Sequence, residues 1–188
     1  VAEQASAIIV GYGRFGQTVA QMLMARGVSL TLIDRKAGQI DLSRDFGMKV
    51  YYGDGTRVDL LRLAGAENAR AILFCTDGTA LDARSLAPVL ETFRQASVFV
   101  RVFDRRHLLR LEGADLSGVV REVYESAVCM GRQALAALGV EPEEIGRIEA
   151  EYRRRDSERL EAQGREGDMH AADDIMFRPD NRWEPEGL

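Results

Sequence analysis

Ala7-Ile8-Ile9-Val10-Gly11-Tyr12-Gly13-Arg14-Phe15-Gly16 runs four apolar residues into three glycines spaced G-x-G-x-x-G. The apolar run reads as a buried strand, the first two glycines as a tight turn, and Arg14 onward as the first turn of a helix. Val19, Met22 and Leu23 continue that helix at helical spacing. Each glycine has its own physical role in such a turn. Gly11 permits the reversal, Gly13 lets a phosphate approach the main chain, and Gly16 lets the helix pack against the strand. The unpaired amides and positive dipole end of the helix favour a bound anion. Glycines alone are a common pattern. Here a strand precedes them, a helix follows, and the next apolar run, Ser29-Leu30-Thr31-Leu32-Ile33, ends in the acid Asp34. An acid at that distance meets the ribose hydroxyls of an adenine nucleotide and repels a 2′-phosphate. Arg35 and Lys36 follow it directly and are able to accept one. Asp34 also suits the N-cap of a following helix.

Outward from this unit, strand and helix alternate. A helix is expected over 39–46, ended by Gly47, then a strand Lys49-Val50-Tyr51-Tyr52 running into Gly53-Asp54-Gly55-Thr56. Thr56 and Asp59 form a capping-box pattern for a helix through Val58, Leu60, Leu61 and Leu63. Asp54 therefore lies on the same sheet edge as the glycine turn, where it either accepts from an adenine amine or orients its own loop. Ala71-Ile72-Leu73-Phe74-Cys75 is a fourth strand with Thr76-Asp77-Gly78 at its end. A helix over 79–94 contains Pro88, which implies a kink or two shorter helices. Strand 97–102 carries Arg101, short helix 105–111 carries His107, strand 118–120 follows, and helix 124–138 is capped by Gly139. Such alternation predicts an α/β fold: a doubly wound, Rossmann-type, six-stranded parallel sheet with helices on both faces. The nucleotide-binding domain is expected over 6–140, a peripheral amphipathic helix over 141–163, and an extended or partly disordered acidic tail over 164–188.

The 188 residues carry a net charge of −5. Residues 1–140 hold a net +2 and residues 141–188 a net −7. An acidic tail on a near-neutral body gives no electrostatic footprint for nucleic acid. Two cysteines and two histidines, all far apart, make no metal motif. The setting is expected to be a reducing cytosol, and no run is long and apolar enough to cross a bilayer. The chain begins at Val1, as an excised piece would. For Arg14, a phosphate clamp stands beside a solvated loop residue. For Arg101, an ion pair with Asp77 or Glu122 stands beside a ligand role. His107 is expected at the surface, and Cys75 in the core.

Val10-Gly11-Tyr12-Gly13-Arg14-Phe15-Gly16-Gln17, together with Phe46-Gly47-Met48-Lys49-Val50-Tyr51-Tyr52-Gly53-Asp54-Gly55-Thr56-Arg57 and the stretch 60–66, resembles the RCK (TrkA-N) domain family. The chain looks most like the cytosolic regulatory domain of Kef-type, glutathione-gated potassium/proton antiporters, over residues 7 to about 155. The resemblance implies regulation, not turnover. It implies AMP or NAD(H) held by Gly11, Tyr12, Gly13, Arg14, Phe15, Gly16, Asp34, Arg35, Gly53, Asp54 and Thr56, with Cys75, Thr76 and Asp77 at the next strand end. It implies a homodimer, a membrane antiporter domain in the same parent polypeptide, and a place on the cytoplasmic face of the bacterial inner membrane. Glutathione is a further ligand it suggests, with Arg14, Arg101, His107 and Arg110 as cations for its carboxylates. A competing reading is an NAD(P)-dependent oxidoreductase. Against it, no substrate domain follows the nucleotide fold and no acid/base pair is placed for chemistry.

Overall fold

The computed structural model describes residues 6–36, 48–77, 81–180 and 184. The chain divides into two compact units, 1–122 and 123–188. That division falls earlier than the boundary expected near residue 140.

The first unit is built on six parallel strands: β1 (Ser6–Val10), β2 (Ser29–Asp34), β3 (Lys49–Tyr52), β4 (Ala71–Phe74), β5 (Ser97–Val102) and β6 (Gly118–Arg121). Their order is β3-β2-β1-β4-β5-β6, with β1 paired to both β2 and β4. The order reverses between β1 and β4, so a crevice opens beyond their carboxyl ends. Strand periodicity sends alternate side chains to opposite faces. Ile8, Val10, Ile33, Ile72, Phe74, Val98 and Val100 enter one apolar layer; Ala7, Ile9, Leu30 and Leu32 enter the other. Burial on both faces explains why these strands are continuous apolar runs.

Among the described residues, four helices belong to this unit: α1 (Arg14–Met24), α2 (Val58–Leu63), α3 (Ala83–Thr92) and α4 (Arg105–Leu109). Two helix starts differ from expectation. Arg57, not Thr56, is the N-cap of α2, and it makes no side-chain cap bond. The Thr56 hydroxyl donates to Asp54 at 2.7 Å and so orders the loop ahead of the helix. Helix α3 begins at Ala83 because Asp82 and Ser85 form a reciprocal capping box. It runs through Pro88 as one helix rather than two. The helix expected over 39–46 lies outside the described residues.

The second unit contains most of α5 (Glu122–Ala137), then α6 (Pro142–Glu166) and a short 3-10 helix (Asp173–Ile175). Gly139, at φ 85°, turns the chain between the two long helices. Tyr124 and Tyr152 stack with ring centroids 5.7 Å apart. Arg153 grips Glu125 through two bonds of 2.9 and 3.0 Å and also reaches Glu149. Helix α6 extends three residues past the expected end at 163. The tail after it is not extended over its described part. Gln163 donates to the Met169 carbonyl at 2.7 Å, Arg159 pairs with Asp173 at 2.7 Å, and Arg155 lies over the Phe177 ring. Those bonds turn residues 168–177 back along the helix, and they join polar partners that composition alone cannot pair.

Candidate functional site

The crevice at the β1–β4 reversal is a cleft of about 810 Å³. The glycine turn forms one side of it and is tied to both neighbouring strands. The Gly11 amide donates to the Ile33 carbonyl at 2.8 Å, and the Cys75 amide donates to the Val10 carbonyl at 2.8 Å. Gly11 has φ 92°, and a Cβ there would lie 2.8 Å from the Thr76 backbone nitrogen. A Cβ at Gly16 would lie 2.1 Å from the Gly11 carbonyl oxygen, so the start of α1 packs directly on the turn. Gly13 differs from both. Its φ is −72°, and a Cβ would meet nothing within 4 Å. Nothing in the fold excludes a side chain there; it would project into open space at the N-terminus of α1.

Gly13, Arg14 and Phe15 line the cleft at this helix start. The first intrahelical bond runs from the Gln17 amide to the Gly13 carbonyl at 2.9 Å. The amides of residues 14–16 precede any intrahelical acceptor, which is the condition for an anion site.

Asp34 is held in place by two backbone amides. Its Oδ2 accepts from Tyr12 N–H and its Oδ1 from Lys36 N–H, each at 2.7 Å. Each oxygen keeps a second lone pair for a ligand hydroxyl. Across the cleft mouth, the Gly53 amide donates to the Asp34 carbonyl at 2.9 Å. Asp54 orients its own loop: Oδ1 accepts from the Thr56 amide at 3.0 Å and from the Thr56 hydroxyl. Its Oδ2 pairs with Arg35. Burial pushes the Asp54 carboxyl up, but the Thr56 hydrogen bonds and the Arg35 charge outweigh it and leave it below its ordinary value.

Of the residues expected to bind a nucleotide, Gly11, Gly13, Arg14, Phe15, Asp34, Arg35, Gly53, Asp54, Thr56, Cys75, Thr76 and Asp77 all line this one cleft. Tyr12 and Gly16 do not. The Tyr12 ring is buried in the apolar layer beside α1, and Gly16 is used for packing. Sequence reasoning missed the apolar wall of Val10, Ile33 and Phe74 and the lining residues Thr18, Gly55, Leu81, Ser85 and Glu122. Gly55 was legible in the Gly-Asp-Gly run: a Cβ there would lie 2.3 Å from Val10.

The four cations expected for glutathione are not brought together. Arg14 and Arg101 line the cleft; His107 and Arg110 do not. Arg101 is committed to Glu122 (Nε at 2.9 Å), donates to the Cys75 carbonyl at 3.1 Å, and stacks over Phe15 at 4.8 Å. His107 is buried, 1% exposed, not at the surface as expected. Its Nδ1 accepts from the Phe103 amide, and its Nε2 lies 3.0 Å from the Leu81 carbonyl oxygen, as in a neutral ring. Burial pushes its pKa down, so it offers no positive charge to an anion at neutral pH. The Cys75 thiol is likewise driven by burial up to about 12. Among the described residues, no cluster of His, Cys, Asp and Glu is set to hold a metal ion, and no helix is long and apolar enough to cross a membrane.

These features have close counterparts. The chain is 37% identical over 153 residues to a glutathione-regulated potassium-efflux system protein of Haemophilus influenzae, covering 81% of this chain and 25% of that protein. It is 39% identical over 151 residues to the glutathione-regulated potassium-efflux system protein KefC of Salmonella arizonae, covering 80% of this chain and 24% of that one. The chain thus spans about a quarter of the length of these curated relatives. Among solved structures, the Shewanella denitrificans Kef CTD in AMP-bound form matches with a TM-score of 0.72 at 33% identity, over 85% of this chain and 98% of that one. The GsuK channel bound to NAD matches with a TM-score of 0.59 at 25% identity, over 69% of this chain and 23% of that one. A TrkA-N domain model matches residues 7–122, and with the nucleotide fold and its glycine turn already in place, the chain belongs to the TrkA-N domain family.

Proposed function

We propose that this chain is a regulatory nucleotide-binding domain of a Kef-type potassium efflux transporter, sitting on the cytoplasmic face of the bacterial inner membrane. It binds AMP or NAD(H) in the β1–β4 crevice, and occupancy biases the attached transport domain instead of starting a reaction. The observation that carries this reading is Gly13. The fold leaves room for a side chain there, so the absence of one is accounted for by a ligand phosphate resting on the backbone at the start of α1. Asp34 takes the ribose hydroxyls with its remaining lone pairs, and Val10, Ile33 and Phe74 supply an apolar wall for the base.

The lining supports sensing over turnover. Cys75 is protonated at neutral pH, and His107 lies outside the cleft. A regulatory ligand must bind two arrangements of the protein unequally. A homodimer supplies such arrangements. Helix α5 supports one: Val123 and Met130 stand 50% and 73% exposed along it, and Leu138, just past its end, 80%.

Native mass spectrometry of protein purified from cells should release AMP or NAD(H) on denaturation. Isothermal titration with AMP should show Gly13→Ala weakening binding at least about tenfold, roughly 1.4 kcal/mol, with the melting temperature nearly unchanged. Equal affinity in wild type and variant would remove the phosphate from the helix start and overturn the reading.

A further inference from the structure

We infer that Asp54 sets the nucleotide selectivity of the adenosine end of the cleft, by neutralising Arg35 so that the site takes a ribose whose 2′-hydroxyl is unphosphorylated. This rests on the nucleotide reading above and adds to it the class of ligand.

Arg35 and Lys36 follow Asp34 at the end of β2, and both line the cleft. A 2′-phosphate brings nearly two negative charges, and an arginine fork at this turn is the side chain that ordinarily receives it. Here that fork is already paired with Asp54 Oδ2. Asp54 cannot turn away, because its Oδ1 is held by the Thr56 amide at 3.0 Å and the Thr56 hydroxyl at 2.7 Å. Asp34 is fixed as firmly by the Tyr12 and Lys36 amides. Two cations and two anchored carboxylates therefore line this edge, and their formal charges sum to zero. Arg35 is 67% exposed, so its pairing is weak and a phosphate is able to draw the guanidinium off. The carboxylates remain behind and repel the phosphate. Asp34 alone would leave a net positive edge; Asp54 removes it. Neither sequence spacing nor the glycine turn contains this information, because Arg35 and Asp54 meet only through the pairing of β2 with β3.

The test is titration calorimetry of the purified chain with AMP and with adenosine 2′,5′-bisphosphate. Wild type is expected to bind AMP at least tenfold more tightly. Asp54→Asn keeps an oxygen facing Thr56 and removes the charge facing Arg35. It should narrow that ratio about tenfold, and the dissociation constant of the bisphosphate itself should fall. The double variant Asp54→Asn/Arg35→Ala should lose the gain. Should Asp54→Asn fold poorly, Asp54→Ser, which also offers Thr56 an acceptor, carries the same expected gain. A wild type that binds AMP but whose ratio does not move in either variant overturns the role of Asp54 alone. A wild type that binds neither ligand overturns the nucleotide reading and this inference with it.

Discussion

The two units of the chain use charge and apolar area in opposite ways. Unit 1–122 is held by two buried apolar layers, one on each side of the sheet, and Arg14, Asp34, Arg35, Asp54 and Arg101 are among its charged groups that line the cleft. Within unit 123–188 few apolar side chains are buried, Ile145, Ala162 and Ala171 among them. Its helices are joined by the Tyr124–Tyr152 stack and by arginine–carboxylate pairs on the surface. Buried apolar area stabilises strongly and does not depend on salt, whereas exposed ion pairs each contribute about 0–1 kcal/mol and weaken with salt. The comparison teaches that the first unit rests mainly on buried apolar area and the second mainly on surface ion pairs and an aromatic stack.

The largest expected effect is in the first unit. Leu61 is fully buried between sheet and helices, and Leu61→Ala should cost about 2–5 kcal/mol in urea unfolding. A cost below about 1 kcal/mol would break the contrast at its strong end. Next comes Asp34→Ala. It should weaken AMP binding by about 1–3 kcal/mol, read by calorimetry, because ligand hydroxyls lose their acceptor. Its effect on unfolding should be smaller than that of Leu61→Ala; an equal effect would mean that charge in this unit serves the fold as much as the site.

Acid should separate the units further. The folded His107 pKa is pushed below the ordinary 6.5, so the unfolded chain takes up a proton first. The stability His107 contributes is present above pH 6.5 and is lost as pH falls through its lowered folded value. Unfolding midpoints of wild type should drop over that window, and His107→Gln should flatten the drop. In the second unit, Arg154 and Arg155 hold the Glu151 carboxyl down at about 2, against an ordinary 4.5. That contribution is intact above pH 4.5 and fades toward pH 2. The smallest expected effects belong here. Tyr152→Ala should cost about 0.5–1.5 kcal/mol, and Glu151→Gln less than about 1 kcal/mol, both followed by helical circular dichroism during melting.

What the sequence revealed follows from the range of the interactions involved. The glycine turn was legible because its constraints are local: Gly11 needs its positive φ, and Gly16 sits five positions from the Gly11 carbonyl that a Cβ there would strike. The strands were legible because burial on both faces leaves an unbroken apolar run. Thr56 was misread because a Thr just ahead of a helix either caps it or closes the preceding Asp loop, and spacing does not tell the two uses apart. His107 was misread because its burial depends on the Leu81 carbonyl, 26 positions away. The partner of Arg101 was left between Asp77 and Glu122, since only the β5–β6 pairing brings Glu122 within reach. The tail was read as extended or partly disordered because its anchors, Arg155, Arg159 and Gln163, reach it from the preceding helix.

The two thiols of this chain are unequal in a way that is useful at the bench. Cys75 is sealed beneath the glycine turn and stays protonated, so alkylating reagents and mild peroxide should pass it by. Cys129 is exposed on α5. The unmodified protein thus offers one addressable sulfur, on a helix that also exposes Val123 and Met130, where a spin label or fluorophore would sit outside the set of residues that line the cleft.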